Sequence, residues 1–463
     1  MTAFPEQGHT FWRLAALALA MLLPSLGTSI ANVALPSLQI AFAASFSEVQ
    51  WVVLSYLLAV TTLIVGVGRL GDLLGRRRLL LGGIGLFAIA SAAAALAPSL
   101  WVLVVARALQ GLGAAIMMAL TVASVGDVVP KERAGSAMGL LGTVSAIGTA
   151  LGPSLGGAVL SVTGWPAVFA VLACAGVATF LVGLRALPAD AAGERTARSF
   201  DLPGMLLLAM ALGAYALSST LGGAHPGGLN AVLGVLAVLA GTAFVVVERR
   251  TASPLVRIEL LSERSLGAGL VSLALVSTIM MATLVVGPFY LSHAPGLGPA
   301  ETGLVMSIGP GVAALVGVPA GRLVDSYGSA RVAIAGLLGV VAGAASMTVL
   351  PAWLGTGGYI GGLCAITAGY ALFQAANTTA VMATAAPDQK GLTSSLLGLA
   401  RNLGLVTGVS AMGAVFTLGS SGLMALAPLS GPQAGLQLTF AVAALLGGLA
   451  LVVSVRTVGR QAA

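Results

Sequence analysis

Charge is scarce in this chain. Only 8% of its residues are charged, against roughly 25% in soluble proteins, while 58% are hydrophobic and mean hydropathy is +1.04. That composition excludes a soluble enzyme or binding domain and requires a protein embedded in a bilayer. Cysteine is almost missing: Cys174 and Cys364 both sit in apolar runs, which excludes a disulfide scaffold and a cysteine-based zinc site. The three histidines, His9, His225 and His293, fall in tails or external loops, so no intramembrane histidine relay is available. With no nucleophile–base pair and no metal-ligand constellation, the residues support neither an enzyme nor a bound cofactor or metal.

Long apolar runs fill the rest of the chain. A membrane-crossing helix needs about 20 mainly apolar residues. The runs resolve into fourteen such spans, at 14–35, 50–69, 79–97, 101–124, 135–160, 165–185, 202–221, 229–247, 266–292, 300–321, 331–350, 355–380, 391–418 and 435–455. The first run, Ala15 to Leu35, exceeds the roughly 7–15 apolar residues of a signal peptide and reads as a retained helix.

The net charge of +7 is a topology signal rather than a nucleic-acid footprint. With the N-terminus in the cytoplasm, 19 of the 21 Lys and Arg residues fall on the cytoplasmic side, none outside, and Arg107 and Arg401 fall within spans. Positive residues favour the cytoplasmic side as a bias; here the bias has no exception, which fixes both termini in the cytoplasm. Trp51, Trp101, Trp165 and Trp353 all map to external span ends, where amphipathic rings favour the interface.

Two patterns rise above this background. Gly68-Arg69-Leu70-Gly71-Asp72-Leu73-Leu74-Gly75-Arg76-Arg77-Arg78, after the second span, returns after the tenth as Gly321-Arg322-Leu323-Val324-Asp325-Ser326-Tyr327-Gly328-Ser329-Ala330-Arg331. Spans 9–14 then repeat spans 1–6 and leave spans 7 and 8 over, which is the two-halved architecture of many transporters. The expected division is a six-helix bundle over 1–187, linkers and two inserted helices over 188–265, and a second six-helix bundle over 266–463. The other pattern is the glycine helix of the fifth span: Gly139, Gly148, Gly152-Pro153 and Gly156-Gly157. Gly148, Gly152 and Gly156 recur every fourth residue and so share one helix face. A smooth face of this kind lets a neighbouring helix approach closely, and Pro153 favours a bend.

These motifs resemble those of the major facilitator superfamily, in its fourteen-helix drug:proton antiporter branch, over nearly the whole chain. The cytoplasmic signature stands at 68–78 and is echoed at 321–331. Arg107-Ala108-Leu109-Gln110-Gly111-Leu112-Gly113 is similar to the family's fourth-helix motif, and the glycine helix matches the antiporter motif in six places. Asn32-Val33-Ala34-Leu35-Pro36, Phe200-Asp201 and Arg401-Asn402-Leu403-Gly404 match further. The resemblance implies an all-α fold of two six-helix bundles plus two extra helices, in the bacterial inner membrane. It also implies a conformational latch at Gly68, Arg69, Gly71, Asp72, Gly75, Arg76, Arg78 and Asp325. In that latch Asp72 would meet a helix start near Gly391-Leu392-Thr393, and Asp325 one near Gly135-Ser136. The glycine helix, from Gly139 through Gly148, Gly152, Pro153, Gly156 and Gly157, takes the place where the family seals the external side.

Candidate cavity residues are Thr28, Asn32, Arg107, Gln110, Gln374, Asn377, Arg401 and Asn402, with Met117, Met118, Met280, Met281 and Met306 as an adaptable apolar wall. Snorkelling of Arg107 to the outer surface, a structural Arg401 capping carbonyls between helices, and a packing role for the methionines are the plainer readings of the same residues. The branch usually carries an aspartate five residues before Asn32, where this chain has Gly27. All fourteen acids here lie in tails, loops or helix ends, with Asp201 at a cytoplasmic end and Glu248 in a loop. A second departure is Trp165-Pro166-Ala167, where the family tends to have Trp-Arg-Trp. The expected function is export of small neutral or anionic amphiphiles by alternating access, coupled to proton influx. Protons would then pass through Glu48, Glu301 or Asp72, or titrate on the substrate. The expected partners are the substrate, protons and the lipid bilayer, with no nucleic acid, and the protein is expected to act as a monomer. A metabolite importer or uniporter on the same fold, and a transport-inactive membrane sensor, remain as alternatives.

Overall fold

The computed structural model describes residues 4–129, 134–188, 201–221, 227–251, 255, 263–384, 390–423 and 431–461. The first half of the chain contains α1 (Phe4–Ala41), α2 (Phe46–Val49), α3 (Trp51–Leu74), α4 (Arg76–Ala95), α5 (Leu100–Ala123), α6 (Val125–Val128), α7 (Ala134–Thr163) and α8 (Trp165–Ala186). A pair follows, α9 (Leu202–Thr220) and α10 (Gly228–Arg250). The second half contains α11 (Arg264–His293), α12 (Pro299–Tyr327), α13 (Ser329–Leu354), α14 (Thr356–Thr384), α15 (Lys390–Ser420) and α16 (Pro432–Gln461). Fourteen of these helices are long and apolar enough to cross a membrane; α2 and α6 are single-turn pieces at helix ends. Helix is the expected form, because a segment crossing lipid must satisfy its own backbone hydrogen bonds.

Each expected span corresponds to one long helix, but the repeated signature differs from the turn expected over 68–78. The helix α3 runs through the signature to Leu74 and breaks at one residue, Gly75, before α4 starts at Arg76. The second copy does the same: α12 runs to Tyr327, breaks at Gly328, and α13 starts at Ser329. Gly75 has φ 93° and Gly328 φ 83°, conformations that only glycine adopts without strain. The repeat is therefore one of backbone conformation as well as of sequence.

The same symmetry governs packing. In the first half α4 crosses α5 so closely that a Cβ on Gly113 would stand 2.7 Å from the Gly83 carbonyl oxygen. In the second half α13 crosses α14, and a Cβ on Gly369 would stand 2.6 Å from the Gly336 carbonyl oxygen. Hydrophobic burial does not drive helices together within lipid, so such close backbone approach is a main source of packing energy. The pair α9–α10 packs on itself, and α9 also touches α3 and α15. Leu229, Val232, Val235, Val238 and Leu239 leave α10 with an exposed apolar surface suited to lipid.

External helix starts are capped alike. Glu48 accepts hydrogen bonds from the Ser45 amide and hydroxyl, both at 2.7 Å, and the Glu48 amide donates back to Ser45 Oγ. Glu301 accepts from the Gly298 amide at 3.0 Å. Both acids thus serve helix starts, as the third residue of a capping box does.

Candidate transport site

The two halves are joined at their external ends. Gly148, Gly152 and Gly156 of α7 face α1: a Cβ at Gly148 would stand 2.8 Å from the Leu22 oxygen, and one at Gly152 2.9 Å from the Ile30 nitrogen. Side chains bridge the same crossing, with Ser25 Oγ and Ser145 Oγ 2.7 Å apart. Gly157, one residue round the helix, faces the other half instead, and a Cβ there would stand 3.0 Å from the Gly303 Cα on α12. Nearby, Phe46 stacks edge-on against Phe289 at 4.6 Å and lies 4.9 Å from Phe416, joining α2, α11 and α15. Gln50 is buried beside them and donates from Nε2 to the Val409 carbonyl at 2.9 Å. A Cβ on Gly413 would overlap that amide, so glycine there is what admits it.

The cytoplasmic ends behave differently. Gly139 and Gly142 on α7, and Gly311, Gly317 and Gly321 on α12, would meet no atom within 4 Å if given a Cβ. Met138, Leu140 and Ile147 on α7, with Leu315 and Val318 on α12, are exposed. The crossing of α7 and α12 is thus tight at Gly157 and Gly303 and has open space at these cytoplasmic-end positions. In keeping with this, Asp325 and Ser136, expected as latch partners, are both exposed. Gly68, Arg69 and Asp72 lie in the last turns of α3, but their side chains, like those of Gly135, Gly391 and Leu392, lie outside the described residues. Gly71 packs on α5, where a Cβ would stand 2.6 Å from Leu120 Cδ2. Arg76 donates to the Ala123 carbonyl at 3.2 Å, and Arg77 to those of Leu184 and Leu187 at 2.8 and 3.0 Å. These arginines cap the cytoplasmic C-termini of α5 and α8, where the helix dipoles favour positive charge.

Arg107 lies inside the first bundle and is 0% exposed. Its Nε donates to the Val52 carbonyl at 2.9 Å and its Nη1 to the Gly27 carbonyl at 3.1 Å; Nη1 also bonds Gln110 Oε1. The guanidinium carbon stands 4.3 Å from the Tyr56 ring centroid, a cation–π contact. Gln110 passes the network on, from Nε2 to Ser91 Oγ at 2.6 Å. Two backbone carbonyls, an amide oxygen and a ring face therefore hold the charge, and one carbonyl belongs to Gly27, where the resembling branch has its aspartate. Thr28 and Asn32 line the same helix: Thr28 Oγ1 donates to the Pro24 carbonyl at 2.8 Å, and buried Asn32 donates to the Thr28 carbonyl at 3.2 Å.

The second half presents a polar stripe. Tyr370, Gln374 and Asn377 lie on one face of α14, three and four residues apart. Asn377 donates to the Gly269 carbonyl at 3.2 Å, while Gln374 is half-buried. Arg401, on α15, is half-buried, and its neighbour Asn402 is buried. Met117, Met281 and Met306 are buried, and Met306 sulfur accepts from the Tyr359 hydroxyl at 3.4 Å.

One expectation about the acids needs correction. Glu248 is not in a loop but in the last turn of α10, and it is only 2% exposed; Asp201, at the start of α9, is 5% exposed. Asp201 Oδ1 accepts from the Gly204 amide at 2.9 Å and caps α9. Its Oδ2 and Glu248 Oε1 converge on Gly204, each 2.6 Å from where a Cβ would stand. The loop reading fails because Glu248 abuts Arg249 and Arg250, whose exposure hides the inward turn of their neighbour. Among the described residues no group of three or more His, Cys, Asp or Glu side chains is placed to hold a metal.

The helix order, the paired halves and the glycine seam call for a family comparison. Residues 17–409 match the Major Facilitator Superfamily. The chain belongs to that superfamily. It is a multi-pass membrane transport protein, with relatives that share most of its length. The multidrug resistance protein Stp of Mycobacterium tuberculosis is 32% identical over 87% of this chain and 75% of its own. The tetracenomycin C resistance and export protein of Streptomyces glaucescens is 30% identical over 88% and 76%. The riboflavin transporter RibZ of Clostridioides difficile is 28% identical over 87% of each chain. Among solved structures, a mutant of the nucleoside transporter NupG aligns over 96% of this superfamily member and 99% of its own chain, with a TM-score of 0.68 and 13% identity. A peptide transporter in complex with sulfate aligns over 96% and 94%, with a TM-score of 0.70 and 17% identity. At such identities these structures establish the fold alone.

Proposed function

We propose that this transporter exports small neutral or anionic amphiphiles from the cytoplasm by alternating access, driven by proton influx. The moving parts are the bundles 1–187 and 266–463, with the inserted helices of 188–265 between them. The observation that carries the reading is the seam of α7. Its glycine face lies against α1, and Gly157 meets Gly303 of the opposite half at the external side, so one helix links both bundles where the outer door must open. The names of Stp and the tetracenomycin exporter support efflux as the direction. Preference for neutral or anionic cargo follows from two intramembrane arginines and the lack of any acid in the interior of a described span. A dication would find no counter-ion there.

Inside-out membrane vesicles test this directly. An imposed gradient, acidic within the lumen, should drive accumulation of neutral and anionic aromatic amphiphiles and raise the lumenal pH as they enter. Uptake into right-side-out vesicles under an inward proton gradient would identify an importer instead. Collapse of the gradient by dications alone would overturn the charge preference.

A further inference from the structure

The two intramembrane arginines occupy opposite situations. Arg107 is enclosed, with Val52, Gly27, Gln110 and Tyr56 arranged around it and Phe169 6.0 Å away; Nε and Nη1 are bonded and Nη2 is buried without a partner among the described residues. Moving that guanidinium to meet a substrate would give up three charge-assisted hydrogen bonds inside the bundle core. Arg401 has no such cage. It is half-buried and makes no hydrogen bond or ion pair among the described residues, and it shares a helix face with Gly398, where a Cβ would meet nothing within 4 Å. The helix α15 packs on α14, whose polar face carries Tyr370 and, one turn on, Gln374. A cation in a membrane interior without a partner marks a place for one.

Among the described side chains, no acid on a neighbouring element supplies that partner. The helices packed on α15 are α11, α16, α3, α9, α14 and the short α2. Neither α14 nor α16 carries an acid, and α11 has only exposed Glu263 at its start. Asp201 caps α9, Glu48 caps the start of α2 and α3, and Asp72 belongs to the cytoplasmic end of α3. All of these lie at helix ends, whereas Arg401 is about ten residues inside α15. The other charged groups on these helices, Arg69, Lys390, Arg264, Arg456 and Arg460, are basic, and the one histidine, His293, closes the external end of α11.

We infer that Arg401, and not Arg107, is the residue that selects cargo by charge. It receives a carboxylate or other anionic acceptor on the substrate, with Tyr370 and Gln374 beside it as neutral hydrogen-bonding groups. Arg107 is a positioning residue that ties α1, α3 and α5 together. This inference rests on the export reading above and deepens it by naming where the anion sits.

The test uses one aromatic amphiphile with three heads, a carboxylate, a primary amide and an amine. Binding to purified full-length protein in detergent and transport in proteoliposomes are measured for each. Wild type should bind the carboxylate most tightly. Arg401→Gln should weaken carboxylate binding by about tenfold or more, the scale of one charge-assisted hydrogen bond, and amide binding by less than about threefold. Arg401→Lys should recover part of the carboxylate preference, which a merely structural arginine would not require. Arg107→Lys should lower transport of carboxylate and amide by the same factor. Equal losses for carboxylate and amide in Arg401→Gln, or a wild type that binds the carboxylate no better than the amine, would overturn the inference. Charge-selective binding by Arg401 combined with transport in the import direction would leave the inference standing and defeat the export reading.

Discussion

Gly157 and Gly303 meet backbone to backbone across the two halves: a Cβ on either would stand 3.0 Å from the Cα of the other. No side chain larger than hydrogen fits at either position without parting α7 from α12. Replacing Gly157 by valine should therefore open the outer seam and stall the cycle with the exterior unsealed. The measurement is labelling by a membrane-impermeant maleimide of Phe416→Cys, in a background of Cys174→Ser and Cys364→Ser. Labelling should rise several-fold and transport should fall; unchanged labelling would show that this crossing does not set the seal.

A milder version of the same change comes from Gln50→Ala. The lost hydrogen bond to Val409 is worth about 1 kcal/mol, or roughly a fivefold shift between outward-closed and outward-open populations. Maleimide labelling at the same reporter should increase by that order. Gly413→Ala should act in the same direction, because its methyl group would displace the Gln50 amide.

Arg107→Ala should reduce stability as well as transport. The carbonyls of Val52 and Gly27 lose a charged donor and Gln110 loses one of its two partners, at a cost of at least about 2 kcal/mol. The melting temperature in detergent should drop by several degrees, with less monodisperse protein on size-exclusion chromatography. A variant as stable as wild type would mean that the cage contributes nothing to the fold.

The convergence on Gly204 gives an independent test of the inserted pair. Alanine there must push aside Asp201 Oδ2 or Glu248 Oε1, and overpacking of this kind costs about 1–3 kcal/mol. Gly204→Ala should lower thermal stability, and Gly213→Ala, where a Cβ would meet no atom within 4 Å, should leave it unchanged or slightly raised.

At the cytoplasmic face, Asp72→Asn should cut export at equal expression without lowering the melting temperature, because the latch acts in the state where the cytoplasmic ends close. Efflux equal to wild type would remove Asp72 from the mechanism.

Much of the fold is legible because membrane proteins write it in one dimension. Apolar runs set the spans, and the placement of arginines sets their direction. The copies at Gly75 and Gly328 match in letters, but that each is a one-residue positive-φ break between two helices, rather than a turn, is visible only in the structure. The face shared by Gly148, Gly152 and Gly156 is readable from a spacing of four, though not that α1 lies against it, nor that Gly157 serves the other half. The outer cluster of Phe46, Phe289 and Phe416 has no signature, because its members come from three segments far apart in the chain. Arg107 is readable as an intramembrane charge, but not its partners, since backbone carbonyls leave no trace in a sequence. The burial of Asp201 and Glu248 escapes notice for a related reason: position near a helix end says little about whether a side chain turns inward.

The outer door has one more property. Gln50, Phe46, Phe289, Phe416, Gly157 and Gly303 are all uncharged, and the closest approach among them is between bare backbones. Its own contacts are dispersion and one neutral hydrogen bond, which ions do not screen; the acids beside it, Glu48 next to Phe46 and Glu301 next to Gly303, are engaged as helix caps rather than in the closure. The closure itself should hold alike in fresh and saline surroundings, so that any hold the outside medium has on the door passes through the two capping acids beside it.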